Sequence, residues 1–284
     1  MRSLFPAIKF HYRKNQMISR ALTTVLLSGF FAGILMTGAQ MLRVTPLILE
    51  AEKFEVIEVA VLHSHASSGI THEHLLEGVA LDLHQKVETV HGVETVRHAD
   101  ATESWAPGDG AERTFYTAVS NIVTGIAFSL MLVAVYLLRG KSVDINSGML
   151  WGAAGFAVFA LAPALGLSPE LPGMTAAALE SRQVWWIGTV IATAIGIGLF
   201  TETKSILPKI VALALLAAPH LIGAPHPFLF ESNVPAELSA QFAIASLVTS
   251  AFFWLVLGAT SGYLFKKLVQ ETSGTFLKTS PLNS

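Results

Sequence analysis

Of the ten histidines in this chain, only His11, His220 and His226 lie outside residues 63–98. Imidazole is the commonest protein ligand for borderline transition metals, and here its spacing is grouped. His63-Ser64-His65 and His72-Glu73-His74 are alternating pairs joined by a short Ala-Ser-Ser-Gly-Ile-Thr linker. An extended chain puts residues i and i+2 on one side, so each pair can present two rings to one ion. Imidazole with carboxylate suits cobalt, nickel or zinc, whereas calcium and magnesium take oxygen alone. Further along, His84, Glu88, His91, Glu94 and His98 recur at three- and four-residue spacings. They form a secondary stripe on one face if residues 75–98 are helical, an arrangement that Gly92 opposes by about 1 kcal/mol. Solvated surface histidine is the plain alternative for both groups.

Other chemistries lack their residues. Cysteine is absent, so disulfides and thiolate metal sites are excluded. His72-Glu73-His74-Leu75-Leu76 begins like a metalloprotease helix, but Leu76 stands where the second zinc histidine belongs. No glycine-rich loop ending in Lys-Ser or Lys-Thr cradles a phosphate, and no serine sits in a nucleophile elbow. The sequence therefore predicts a protein that is not an enzyme, carries no resident cofactor and binds no nucleic acid.

The elements that position these residues are membrane helices. Hydrophobic residues make up 52% of the chain and charged residues only 13%, and the apolar residues come in runs long enough for about 30 Å of hydrocarbon. The sequence predicts an all-α, polytopic membrane helix bundle with six transmembrane helices. A basic N-terminal segment, 1–20, precedes a first span at 21–42. An acidic, His-rich loop occupies 43–114, five further spans fill 115–265, and a tail follows at 266–284. The first span is expected to be retained, because its apolar run exceeds that of a cleavable signal. The later spans are expected at 115–138, 149–167 with a bend near Pro163, 184–200, 206–222 and 242–265. The fifth of the six is the shortest. Gly29 with Gly33, and Gly258 with Gly262, offer small faces for close helix approach.

Basic residues set the expected orientation. With the N-terminus inside, only Arg43, Lys53, Lys86, Arg97, Arg113 and Arg182 of 18 basic residues fall outside. The positive-inside rule then places both termini in the cytoplasm. Of 20 acidic residues, only Asp144, Glu202 and Glu271 stay inside, so the outer face attracts cations. Glu50, Glu52, Glu112, Glu170, His220 and His226 lie at outer ends of spans, and a ring of helices would bring them to one mouth. Pro219 and Pro225 flank His220 and free backbone carbonyls there. Within the spans, Thr37, Gln40, Asn121, Thr124, Ser129, Thr189, Thr193, Ser246, Thr249 and Ser250 are the polar candidates for a pathway. Asn121 is the most informative, because an amide in hydrocarbon needs a partner helix or an ion; packing between helices accounts for it equally well.

Several strings then resemble a known family. They are Val44-Thr45-Pro46-Leu47-Ile48-Leu49-Glu50-Ala51-Glu52, Trp105-Ala106-Pro107 with Asp109-Gly110 and Glu112-Arg113-Thr114, Leu161-Ala162-Pro163-Ala164-Leu165-Gly166-Leu167 and Pro169-Glu170-Leu171-Pro172-Gly173. Arg182-Gln183-Val184-Trp185-Trp186, Pro219-His220-Leu221-Ile222-Gly223-Ala224-Pro225 and Val234-Pro235-Ala236-Glu237-Leu238 follow in order. Over roughly residues 20–265 the chain resembles the CbtA family, the predicted cobalt transporter membrane subunit. The resemblance implies a multi-pass bacterial inner-membrane protein of cobalt uptake, tied to cobalamin supply. It also implies a small single-span companion bearing histidines of its own. The stretch before Arg20 and the loop from Ser64 to Ala101 are longer than the family pattern.

The expected function is uptake of Co²⁺, captured by the outer His/Glu-rich loop. A nickel or broader divalent-metal transporter, including an exporter, is the alternative, and a metal-binding sensor or assembly protein without transport is another. Replacing His63, His65, His72 and His74 together by alanine tests the loop. Uptake is expected to weaken at limiting Co²⁺ and to recover in part at high metal, because recruitment imidazoles raise occupancy without forming the pore. An unchanged concentration dependence would remove the loop from the capture step.

Overall fold

The computed structural model describes residues 4–54, 107–227 and 232–270, with side chains from Asn15 onward. Every regular element among them is helical. Helix α1 spans Leu4–Arg43, so the basic N-terminal segment continues as helix directly into the first span. Val44 forms a turn, and a short helix α2 occupies 45–54. Pro46 is tolerated there because first-turn N–H groups have no helical acceptor to lose. Helix α3 is Ala111–Arg139. Gly140, in the left-handed conformation at φ 60°, ends it by donating to the Tyr136 carbonyl.

Helix α4 runs from Ile145 to Ala164. Asp144 caps its start, accepting from the Ser147 N–H at 2.9 Å and from the Ser147 hydroxyl at 2.7 Å. Those bonds hold the Asp144 carboxyl below the usual carboxylate range. Inside α4, residues Ala157–Leu161 form a π turn, with the Ala162 N–H reaching the Ala157 carbonyl five residues back. Pro163 explains its position: the ring has no N–H and crowds the carbonyl four residues earlier, and a widened turn relieves that crowding. The bend expected at Pro163 thus takes the form of a π turn just before it. Helix α5 is Leu179–Glu202, α6 is Ile206–Ile222, and α7 is Ala236–Phe265, continued by a π turn at Lys266–Gln270.

Among the described residues, five helices are long and apolar enough to span a bilayer. Helix α6 has 17 residues, about 25 Å at 1.5 Å each, and falls short of the hydrocarbon thickness. The sequence-based count of six includes it. The architecture is a polytopic membrane helix bundle. Terms inner and outer below follow the orientation set by the basic residues.

Helix α7 is the axis of the bundle: α1 and α4 pack along it, α3 packs on α1, and α6 packs on α5. Two seams bring backbones together. A Cβ on Gly29 would stand 2.5 Å from the Ile126 Cα, and one on Gly33 would stand 2.6 Å from the Ile122 Cα. On the second seam, a Cβ on Gly258 would lie 2.9 Å from the Gly152 Cα, and one on Gly262 would lie 2.9 Å from the Gly148 Cα. Both glycine pairs noted in the sequence therefore face partner helices. Lipid gives apolar side chains no reason to leave it, so this close packing carries association. Interhelical hydroxyl pairs reinforce it: Ser28 with Ser129 at 2.6 Å and Tyr136 with Ser261 at 3.2 Å.

The seams predict a contrast between glycines. Gly258→Leu is expected to cost at least about 1–3 kcal/mol through overpacking, read as a lowered melting point of the detergent-solubilised protein. Gly198→Leu, at a position where an added Cβ meets nothing within 4 Å, is expected to change it little. Equal losses at both sites would count against the seam.

Candidate functional site

The outer ends of α1, α2 and α3 enclose a polar cavity of about 710 Å³. Gln40, Glu52, Asp109, Arg113, Ser120 and Asn121 contribute to its walls. Glu52 reaches it because α2 folds back over the end of α3. There Arg113 bridges two carboxylates, Glu52 at 2.6 Å and Asp109 at 3.1 Å. At the inner edge of the cavity, the Asn121 amide donates to Thr37 Oγ1 at 3.0 Å and to Gln40 Oε1 at 2.6 Å. One side chain thereby ties α3 to two turns of α1, which satisfies an amide at membrane depth.

Asn121 also borders a central cavity of about 180 Å³. Thr124, Ser250, Phe159, Trp186 and Trp254 are among its other walls. Ser250, Phe159 and Trp186 continue into a third, larger cavity of about 790 Å³, bounded by α4, α5 and α7. Glu170 and Arg182, paired at 2.7 Å, stand at the outer rim of that cavity with Gln183. Asn121 is therefore shared by the first and central cavities, and Ser250 by the central and third.

The sequence-predicted ligands fall into three groups. His63, His65, His72, His74, His84, Glu88, His91, Glu94 and His98 lie outside the described residues. Glu50, Glu52 and Glu170 are found at outer helix ends, but each is engaged by a neighbouring cation: Lys53 at 2.6 Å, Arg113 and Arg182 respectively. His220 sits in the last turn of α6, edge-on to Trp185 with ring centroids 6.1 Å apart. The Trp185 indole N–H donates to the Pro219 carbonyl at 3.3 Å, so one of the backbone acceptors expected around that proline is already used. His226 follows in the exposed segment after α6. Among the described residues, no three His, Asp or Glu side chains gather into a metal-holding group. Glu50, Glu52 and Glu170 stand in three separate ion pairs.

Residues 18–266 match the family described as probable cobalt transporter subunit, CbtA. That is most of the chain. The chain belongs to the CbtA family. No curated protein and no solved structure matches it. The family is described as a probable transporter subunit, which supports a role for this CbtA-family protein in transport.

Sequence reasoning gave Arg113 and Arg182 no role beyond charge. The four-residue step from Asp109 to Arg113 was the available signal for the first, since residues so spaced meet on a helix. For Asn121 the structure allows a direct experiment. Asn121→Leu, which keeps side-chain volume and removes both hydrogen bonds, is expected to lower maximal cobalt transport by roughly tenfold, about 1.4 kcal/mol, and added metal is expected not to restore it. Reduced membrane abundance with normal transport per molecule would make Asn121 a packing residue alone.

Proposed function

We propose that this chain carries Co²⁺ inward across the bacterial inner membrane, both termini being cytoplasmic. The acidic, histidine-bearing segment between α2 and α3 collects the ion, and the outer cavity beside Asn121 receives it. The observation that carries this reading is the sharing of Asn121 between the outer polar cavity and the central one. An ion leaving bulk water needs polar groups in succession to replace its hydration. Asp109, Glu52, Gln40 and Asn121 supply carboxylate and amide oxygens along the wall of the outer cavity.

The guanidinium of Arg113 fits this scheme as a resident counter-ion. It offsets one of the two charges of Glu52 and Asp109 between transport events and is displaced when a divalent cation arrives. An ion pair half open to solvent is worth little, about 1 kcal/mol or less, so exchange is cheap. Each positive charge moving inward gains about 2.3 kcal/mol per 100 mV, or about 4.6 for Co²⁺. The membrane potential is therefore a sufficient source of drive without nucleotide hydrolysis. The family description as a subunit supports a partner, and we assign that role to a small single-span protein with its own histidines.

Sealed vesicles containing the purified chain, with and without that companion, test the proposal. An imposed inside-negative potential is expected to drive Co²⁺ into vesicles that hold the protein facing its native way. Binding without flux under every combination would favour a metal-binding assembly protein. Nickel flux exceeding cobalt flux would reassign the cargo.

A further inference from the structure

Helices α3 and α4 both pack on α7, and the cleft left between them is crossed at mid-depth by aromatic rings. Phe128 of α3 lies 4.6 Å from Trp254 of α7 and 5.1 Å from Phe159 of α4, measured between centroids. Phe159 stacks on Trp254 at 5.6 Å with ring planes 11° apart, and Trp186 of α5 adds a further contact with Phe159 at 6.3 Å.

Environments on the two sides of these rings differ in kind. Outward, the cleft is lined by Asn121, Thr124, Ser246 and Ser250. Most in-span hydroxyls return to a carbonyl of their own helix, as those of Thr24, Thr37, Thr189 and Thr249 do. Thr124 and Ser250, which make no such bond, are among the residues lining the cavity. Inward, one turn further along α3 and α7, Leu132, Val133, Tyr136 and Leu257 are at most 2% exposed. Tyr136 there closes on Ser261, Trp151 and Phe265.

We infer that Phe128, Phe159 and Trp254 form the gate of the transport route, shut in this structure between a water-accessible outer cleft and a sealed inner half. The inference rests on the transport reading above and adds the residues that control passage. A ring of apolar side chains stops an ion by refusing its water, with no need for a plug of charge. Phe159 belongs to the π turn of α4. A π turn holds one residue more than an α turn, and its relaxation swings the side chains it contains. The glycine seam with α7 is made at Gly148 and Gly152, before that turn, so Phe159 can leave Trp254 while the seam holds.

The chain contains no cysteine, so single cysteines report water access on an otherwise native background. Thr124→Cys and Ser250→Cys probe the outer side, and Leu132→Cys the inner side. A membrane-impermeant methanethiosulfonate is added to the outer face of spheroplasts. The two outer positions are expected to react at least about tenfold faster than the inner one. Phe159→Ala is expected to raise labelling of Leu132→Cys by about the same factor, whereas Phe159→Leu, still apolar and bulky, keeps it protected. Labelling of Thr124→Cys in each double variant confirms that the bundle has folded.

The gate is overturned if both outer positions stay unreactive, as they would in a cleft filled by lipid. It is also overturned if Leu132→Cys reacts with the rings intact, or if Phe159→Ala leaves it protected while Thr124→Cys still labels. The readout needs no metal. Absent Co²⁺ flux with the expected labelling would therefore tell against the transport reading, and flux with the wrong labelling would tell against this gate.

Discussion

Contact of backbone on backbone at glycine is the constraint on which this bundle depends. A bilayer offers its helices no hydrophobic reason to meet, so association must come from surfaces that fit closely. Gly29 and Gly33 let α3 approach α1, and Gly148 and Gly152 interlock with Gly258 and Gly262 where α4 meets α7. The first seam sets the distance at which Asn121 can reach Thr37 and Gln40. The second fixes α4 firmly below its π turn and leaves the segment above that turn to face the cleft.

Charge is treated with the same economy. Glu52, Glu170 and Glu202 each meet an arginine from another part of the chain: Arg113, Arg182 and Arg139. The first two pairs lie at outer helix ends and the third at inner ends, so the apolar middle of the bundle holds none of them. Hydroxyls, one amide and aromatic faces are what an ion would meet there. Such a lining holds a cation weakly, which suits passage better than storage.

Much of the fold was legible in the sequence, and for a clear reason. Hydrocarbon demands long apolar runs with internally bonded backbone, so α3, α5 and α7 could be located, though each begins four to six residues before the expected span, and α6 with its observed limits. The paired glycines were equally readable, because small residues four apart mark one helix face. The arrangement of the candidate site was less so. Glu50, Glu52, Glu170 and His220 could be read as lying at or beside helix ends, but pairing depends on which helices are neighbours, and hydropathy carries no such information. Arg113 and Arg182 look like loop charges until α2 is seen folded over α3 and Glu170 beside the start of α5. Phe128, Phe159 and Trp254 are far apart in a sequence rich in similar residues, and only the crossing of three helices singles them out.

Helix α6 rests on α5 and turns the rest of its surface outward, with Ile206, Leu207, Leu213, Leu221 and Ile222 each more than 60% exposed. At 17 residues, about 25 Å, it is also shorter than a bilayer's hydrocarbon core. A bilayer meeting a short helix must thin, or the helix must shift to suit it, at a fraction of a kcal/mol per ångström. Any such shift passes to α5 through Trp185 and the Pro219 carbonyl, and the next residue along α5 is Trp186, which touches Phe159. A line of contacts thereby runs from the apolar outer surface of α6, through two neighbouring tryptophans, to the aromatic rings at the centre of the bundle.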